Sequence, residues 1–345
     1  MKKFYAVVGN PPYQEENEKS TRQPSIYPYF MNEAYKVGER VELITPARFL
    51  YEEGLTKKWS KKALNDPHLK ILEYEGEAKN VFPTTGFKGG VVVTLRDSTR
   101  TREPIGVFTP LEELNSIIEK VRAIAGPRSI SNSNYMDSIV SSRGNYRFTK
   151  KFAEDFSEAI ARLGKGTGNM FASNFFEKIP ECASNDPDSG KLKFLCRIDG
   201  RRTFLYVDRC YVMENPYIDT YNVGFPEGNG EGVFGETLSD SEVLEPGECS
   251  TDTFLSVGFF RTRTEAENLI TYIKTKFFRT MLGVKKATQH TSASVWQYIP
   301  LQDFTSSSDI DWSQSVEDID RQLYAKYGLS DDEIEFIESH VKEMD

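Results

Sequence analysis

At 345 residues, with 12% aromatic and 28% charged side chains, the chain suits about two domains and can bury a proper core. No apolar run approaches the ~20 residues a membrane span needs, and the short apolar start lacks a signal-peptide cleavage site, so a cytoplasmic protein is expected. The net charge of −9 weighs against nucleic-acid binding only until it is located: Asp303–Asp345 holds thirteen acids against three bases, which leaves the remainder close to neutral.

In chain order, Phe4–Val8 reads as a short apolar strand ending in Gly9. Ser25–Val37 places Tyr29, Phe30, Ala34 and Val37 at helical spacing. Val41–Ile44 is a second strand, Leu55–Leu64 a helix, and Ile71–Tyr74 and Gly90–Leu95 are two further strands. Strands and helices in alternation predict an α/β fold with a mainly parallel sheet, its last two strands able to form an antiparallel edge. Leu111–Ile124 is a helix and Ser129–Ser142 a polar loop. Phe194–Val212 reads as a hairpin turning at Asp199-Gly200, Pro226–Pro246 as an exposed acidic loop, and Phe254–Phe260 as a strand. Glu265–Met281 reads as one helix with Leu269, Ile270, Ile273, Phe277 and Phe278 on its core side. Helices over Val316–Tyr327 and Asp331–Met344 follow, the second opening on the capping pair Ser330 and Glu333. The division expected is 1–125, 126–302 and an acidic helical tail, 303–345. Cys182, Cys196, Cys210 and Cys249 form no close-spaced pair, and only His68, His290 and His340 could assist them, so they read as reduced structural thiols without a metal.

The most informative residues are Val7-Val8-Gly9-Asn10-Pro11-Pro12-Tyr13. Asn10 and Pro11 each precede a proline and are held in extended geometry, while Pro11 and Pro12 have fixed φ. A stiff bracket therefore stands at the carboxyl end of a strand, where open α/β sheets place ligands. An exocyclic amino group is a poor nucleophile because its lone pair is delocalised into the ring. If the Asn10 amide oxygen and the Pro11 carbonyl each accept one amino hydrogen, electron density stays on nitrogen, and catalysis is positioning plus electrostatics. Tyr13 offers a face for a flipped base. The plainer alternative is an ordinary turn, since Asn-Pro and Pro-Pro are common loop punctuation.

This segment resembles the fourth motif of the amino-group DNA methyltransferases, in the form favoured by N6-adenine enzymes. The likeness extends to Val41–Leu50, to Val81-Phe82-Pro83 through Gly89-Gly90-Val91-Val92-Val93, and to the recognition region of restriction–modification methylases at Thr253–Leu255, Lys274–Arg279 and Trp296–Leu301. Lys326–Ser330 matches as well. The resemblance implies a partial Rossmann-like methyltransferase sheet followed by an α+β target-recognition domain. It also implies methyl transfer from S-adenosylmethionine to adenine N6 in double-stranded DNA, within a restriction–modification system. Two departures stand out. Leu95 occupies the place where the family has a base-stacking phenylalanine, which leaves Phe87 as the nearest aromatic. The donor-binding strand, Gly-rich turn and ribose-binding acid are not found, and Gly228–Gly232 reads as a loop. A polypeptide supplying the donor-binding half is therefore expected as a partner, and the Phe4–Val8 strand should show an unpaired edge.

Cations suited to phosphates lie in two runs: Arg143, Arg147, Lys150 and Lys151, then Lys274, Lys276, Arg279, Lys285 and Lys286, followed by Gln289 and His290, with Gln289 able to read an adenine edge. A solvated helix face is the ordinary alternative for each. Trp296 and Tyr298 are assigned to the core. Competing functions are a non-catalytic DNA-specificity subunit or truncated protein, and a nuclease built on Asp66, Glu77 and Lys79.

Overall fold

The computed structural model describes residues 3–14, 25–51, 57–83, 90–126, 134–164, 166–188, 190–286 and 288–344. Two compact units divide at Asn115/Ser116, and the acidic tail belongs to the second of them.

The first unit is a four-stranded sheet with helices between its strands. Strand β1 (Phe4–Gly9) leads by way of helix α1 (Tyr27–Val37) into β2 (Gly38–Pro46), and helix α2 (Lys57–Leu64) leads into β3 (Leu69–Glu75). A short helix α3 (Ala78–Val81) then precedes β4 (Val91–Asp97). The order is β1-β2-β4-β3. β1 and β2 run parallel, with Phe4 opposite Gly38 and Gly9 opposite Leu43, whereas β4 is antiparallel to both β2 and β3. The sheet is thus mixed rather than mainly parallel, because β4 inserts between two strands of like direction. Gly38 is required where α1 meets β2: a Cβ there would lie 2.8 Å from methyls of both Val7 and Val41.

Helix α1 corrects the helical stripe read from sequence. Tyr27 and Met31 enter the core with Val41, Leu43, Phe49 and Leu64, while Tyr29 is 70% and Phe30 45% exposed. The helix is apolar on two sides, and only one is covered. β1 behaves the same way, with Tyr5 67% and Val8 74% exposed. Its outer edge pairs with no strand among the described residues.

The second unit begins within α4 (Glu112–Ala125). Helices α5 (Lys150–Asp155), α6 (Ser157–Ile160) and α7 (Phe175–Lys178) precede the hairpin β5 (Lys191–Ile198) and β6 (Arg201–Asp208). Its turn takes positive φ at both Asp199 (49°) and Gly200 (76°), the conformation that matches strand twist. Phe148, Phe152, Phe171, Phe175, Phe176 and Phe194 pack into an aromatic core that also takes in Cys182, Cys196 and Cys249. Burial pushes the Cys196 thiol up to about 11, as suits an inert core cysteine; Cys210 is exposed.

A second sheet joins β7 (Tyr221–Pro226), β8 (Glu242–Leu244) and β10 (Phe254–Phe260), while β9 (Glu248–Ser250) adds to β5. The acidic stretch 226–246 is therefore only partly an exposed loop: it contains β8, and Glu227, Asn229, Leu238 and Leu244 are buried. The helix expected over Glu265–Met281 is two, α8 (Arg263–Lys274) and α9 (Lys276–Gly283). Thr275 breaks it with ψ 148°, and its hydroxyl accepts the Phe278 N–H as the cap of α9. Helices α10 (Val316–Tyr327) and α11 (Asp331–His340) bury Ile319, Leu323, Tyr327 and Ile337, so the tail is part of this core. The Ser330–Glu333 capping box forms as expected.

Candidate functional site

Asn10 to Tyr13 leave the sheet at the carboxyl end of β1. Asn10 and Pro12 are exposed; Pro11 and Tyr13 are half-buried. The segment is tied to the start of α1, since Ile26 N–H donates to the Tyr13 carbonyl at 3.0 Å and Gln14 bridges Ser25. The Tyr13 ring stands edge-on to Phe82, with centroids 6.3 Å apart. Burial raises the Tyr13 phenol, and the Asn10 side chain beside it opposes that shift. Phe82, as support for the Tyr13 ring, was not singled out from sequence; its place three residues after Lys79 gave no periodic signal. Phe87 lies outside the described residues. Leu95 is half-buried on β4.

The bracket is open to solvent. Cavities of about 820, 760 and 690 Å³ are lined by residues other than Asn10–Tyr13. Asp66 is spent on Arg96 at 2.7 Å, and no group of three metal-binding side chains forms among the described residues.

A methyl donor needs free main-chain donors and a ribose-binding acid, and Gly228–Gly232 does not offer them. Glu231 N–H and Gly232 N–H both donate to the Glu236 carboxylate, which also holds Lys286. The chain's own carboxylate fills this cradle. The described residues do not fit S-adenosylmethionine there.

The basic residues divide sharply. Arg279 is buried, its guanidinium donating to the carbonyls of Lys274, Thr275 and Glu236, and desolvation lowers its pKa. Lys286 is buried against Glu236. Neither can reach a phosphate from this position, which corrects the expectation for both. Lys276 is ion-paired to Glu338 at the helix break. Lys274, half-buried and without an ion pair among the described residues, lines the 820 Å³ cavity with Asp320 and Tyr324. Asp320 accepts the Lys276 and Phe277 N–H groups at 2.8 Å each, and burial pushes its carboxyl up to about 6. Lys285 lies over the Tyr298 ring, and Trp296 is fully buried. Gln289 and His290 are exposed, with His290 Nδ1 3.1 Å from both oxygens of Glu227. In the other run, Arg143 pairs with Asp252, Arg147 donates to Asn169, and Lys151 pairs with Asp155; Lys150 is exposed.

Residues 1–82 match the Eco57I restriction-modification methylase family. The matched stretch contains Asn10–Tyr13 and Phe82. Among solved structures, the chain is similar to the type IIG restriction endonuclease BpuSI (11% identity, TM-score 0.29, 92% of this chain and 48% of that one). It is also similar to the type IIL restriction-modification enzyme MmeI in complex with DNA (11% identity, TM-score 0.36, 97% and 56%). A third is the ATP-dependent type ISP enzyme LlaBIII bound to DNA (10% identity, TM-score 0.27, 97% and 29%). The chain thus spans between 29% and 56% of the length of these proteins. No curated protein matches it. Residues 1–82, within the first unit, are the part of the chain that resembles a restriction–modification methylase. Of the second unit's cations, sequence reasoning missed that Glu236 and Glu338 consume two of the most promising positions, Lys286 and Lys276. Their only sequence signal was an excess of acids nearby.

Proposed function

We propose that the chain is the base-holding and DNA-reading part of an adenine-specific DNA methyltransferase in a restriction–modification system. The single observation that carries this is the Asn10–Tyr13 bracket, open at the carboxyl end of β1 within the matched segment. Asn10 Oδ1 and the Pro11 carbonyl accept the two hydrogens of a flipped adenine's N6 amino group. That keeps the nitrogen lone pair out of the ring and aims it away from the protein. Tyr13, braced by Phe82, stacks on the base. No charged intermediate forms on these side chains, so their contribution is orientation and hydrogen bonding.

S-adenosylmethionine is the donor the methylase family implies, and its site is assigned to a partner polypeptide. The open edge of β1 and the uncovered apolar side of α1 support that assignment, because such surfaces are normally paired or covered. Double-stranded DNA is the second partner, taken by the second unit through Lys150, Lys274, Gln289 and His290. Arg143, Arg147, Lys151, Lys276 and Lys285 contribute where their present partners release them.

The test is Asn10→Ala in the complex of this chain with its donor-binding partner, assayed with labelled S-adenosylmethionine and duplex DNA. Methylation should fall by about 10²–10³-fold, with DNA affinity nearly unchanged. Methylation that survives the substitution would mean that the chain acts as a non-catalytic DNA-specificity subunit. That second reading is favoured by the self-filled Gly228–Gly232 loop.

A further inference from the structure

The turn at residues 288–292 is held far more firmly than an exposed loop requires. From one side, Asn229 N–H donates to the Gln289 carbonyl at 2.7 Å, and Thr291 N–H donates to the Glu227 carbonyl at 2.9 Å. The Thr291 hydroxyl bonds the same Glu227 carbonyl at 2.8 Å. From below, Trp296 Nε1 donates to the Thr291 carbonyl at 3.1 Å. His290 nevertheless projects its ring outward, with just over half of its side chain exposed (54%).

The ring is not free to choose its tautomer. Glu227 is buried directly after β7, and both of its carboxylate oxygens sit 3.1 Å from His290 Nδ1. A carboxylate only accepts, so Nδ1 carries the proton and the neutral ring keeps its lone pair on Nε2. Among the described residues Nε2 has no protein partner. A fixed acceptor on a rigid turn, beside the exposed Gln289, recognises a donor.

We propose that Glu227 sets the His290 tautomer so that Nε2 accepts a hydrogen bond from an exocyclic amino group of a DNA base. In the major groove only adenine N6 and cytosine N4 present such donors, so one position of the recognition sequence is restricted to A or C. Glu227 is the positioning residue and His290 the reading residue. The inference rests on the DNA-reading role proposed for the second unit and assigns one base contact within it.

The experiment uses the full chain with its partner and a pool of duplexes randomised over the site. Wild type should enrich A or C at one position, and His290→Ala should lose that preference alone, by about tenfold. Duplexes in which the base at that position lacks its amino group should bind wild type about tenfold more weakly, and His290→Ala no more weakly than the normal duplex. Nitrogen-15 NMR should show the neutral ring of wild type carrying its proton on Nδ1 and not on Nε2. Glu227→Gln, whose amide can donate as well as accept, should show mixed tautomers and a relaxed preference. If wild type enriches no sequence, the DNA-reading proposal falls and this inference with it. If a sequence is enriched but His290→Ala leaves it unaltered, or the missing amino group penalises both proteins equally, the inference alone is overturned.

Discussion

The two units treat their functional groups in opposite ways. In the first, the residues of interest stay uncovered: Asn10 is exposed, the outer edge of β1 pairs with no strand among the described residues, and α1 turns Tyr29 and Phe30 to solvent. In the second, most of the charge that promised a DNA surface is consumed by the fold itself. Arg279, Lys276 and Lys286 answer Lys274, Glu338 and Glu236 from within the same unit. Charge content alone is therefore a poor guide to a phosphate-binding face. What matters is which cations keep an exposed head without a protein anion, and among the described residues Lys150 is such a residue.

Removing a spent cation should cost stability rather than affinity, and Lys286→Ala makes the sharpest case. Truncating one member of a buried pair leaves the other uncompensated, so the variant should lose about 3–5 kcal/mol in urea unfolding. Its affinity for DNA, measured well below its melting temperature, should stay within about twofold. A stable variant with weakened DNA binding would return Lys286 to the phosphate face.

Asp320 provides a test by pH. Its carboxyl is pushed up to about 6 from 3.8, so it holds its proton more tightly folded than unfolded. The stability this group contributes is complete below pH ~4, declines as pH rises through 6, and is flat above that. The decline amounts to roughly 3 kcal/mol. Unfolding titrations of wild type and Asp320→Asn should differ by an amount that changes only inside this window. A constant difference from pH 4 to 7 would show that the carboxyl is not desolvated between α9 and α10.

Much of this architecture was legible from residue pattern, and the failures are instructive. β1, β10, α10 and the Asp199-Gly200 hairpin follow local rules, and their bounds agree with expectation to within a few residues. The break at Thr275 was hidden because Leu269, Ile273, Phe277 and Phe278 keep a helical period across it, and all four are buried. Periodicity reports which side is apolar; it does not report that a threonine caps a second helix. The insertion of β4 between β2 and β3 was equally invisible, since strand direction depends on pairing partners far apart in sequence. At the site, Asn10, Pro11, Pro12 and Tyr13 were legible as a motif. Phe82 beside Tyr13, and Glu227 behind His290, are matters of tertiary placement.

The smallest expected effect probes the unspent character of the first unit. Val8 is 74% exposed on an edge strand, so Val8→Lys removes little packing and should change unfolding free energy by less than about 0.5 kcal/mol. Its consequence should appear only in assembly. A lysine on an open edge blocks the pairing that a bare apolar strand invites. The variant should fail to join the donor-binding partner, and should resist self-association at concentrations where wild type sediments as larger species. Both readouts are needed because they separate two causes. A variant destabilised by more than about 1 kcal/mol would mean that Val8 is already packed, and the first unit would then be as closed as the second. A variant of normal stability that still assembles would leave the edge bare for some reason other than partnership. Only normal stability with lost assembly fits a strand whose second neighbour comes from another polypeptide.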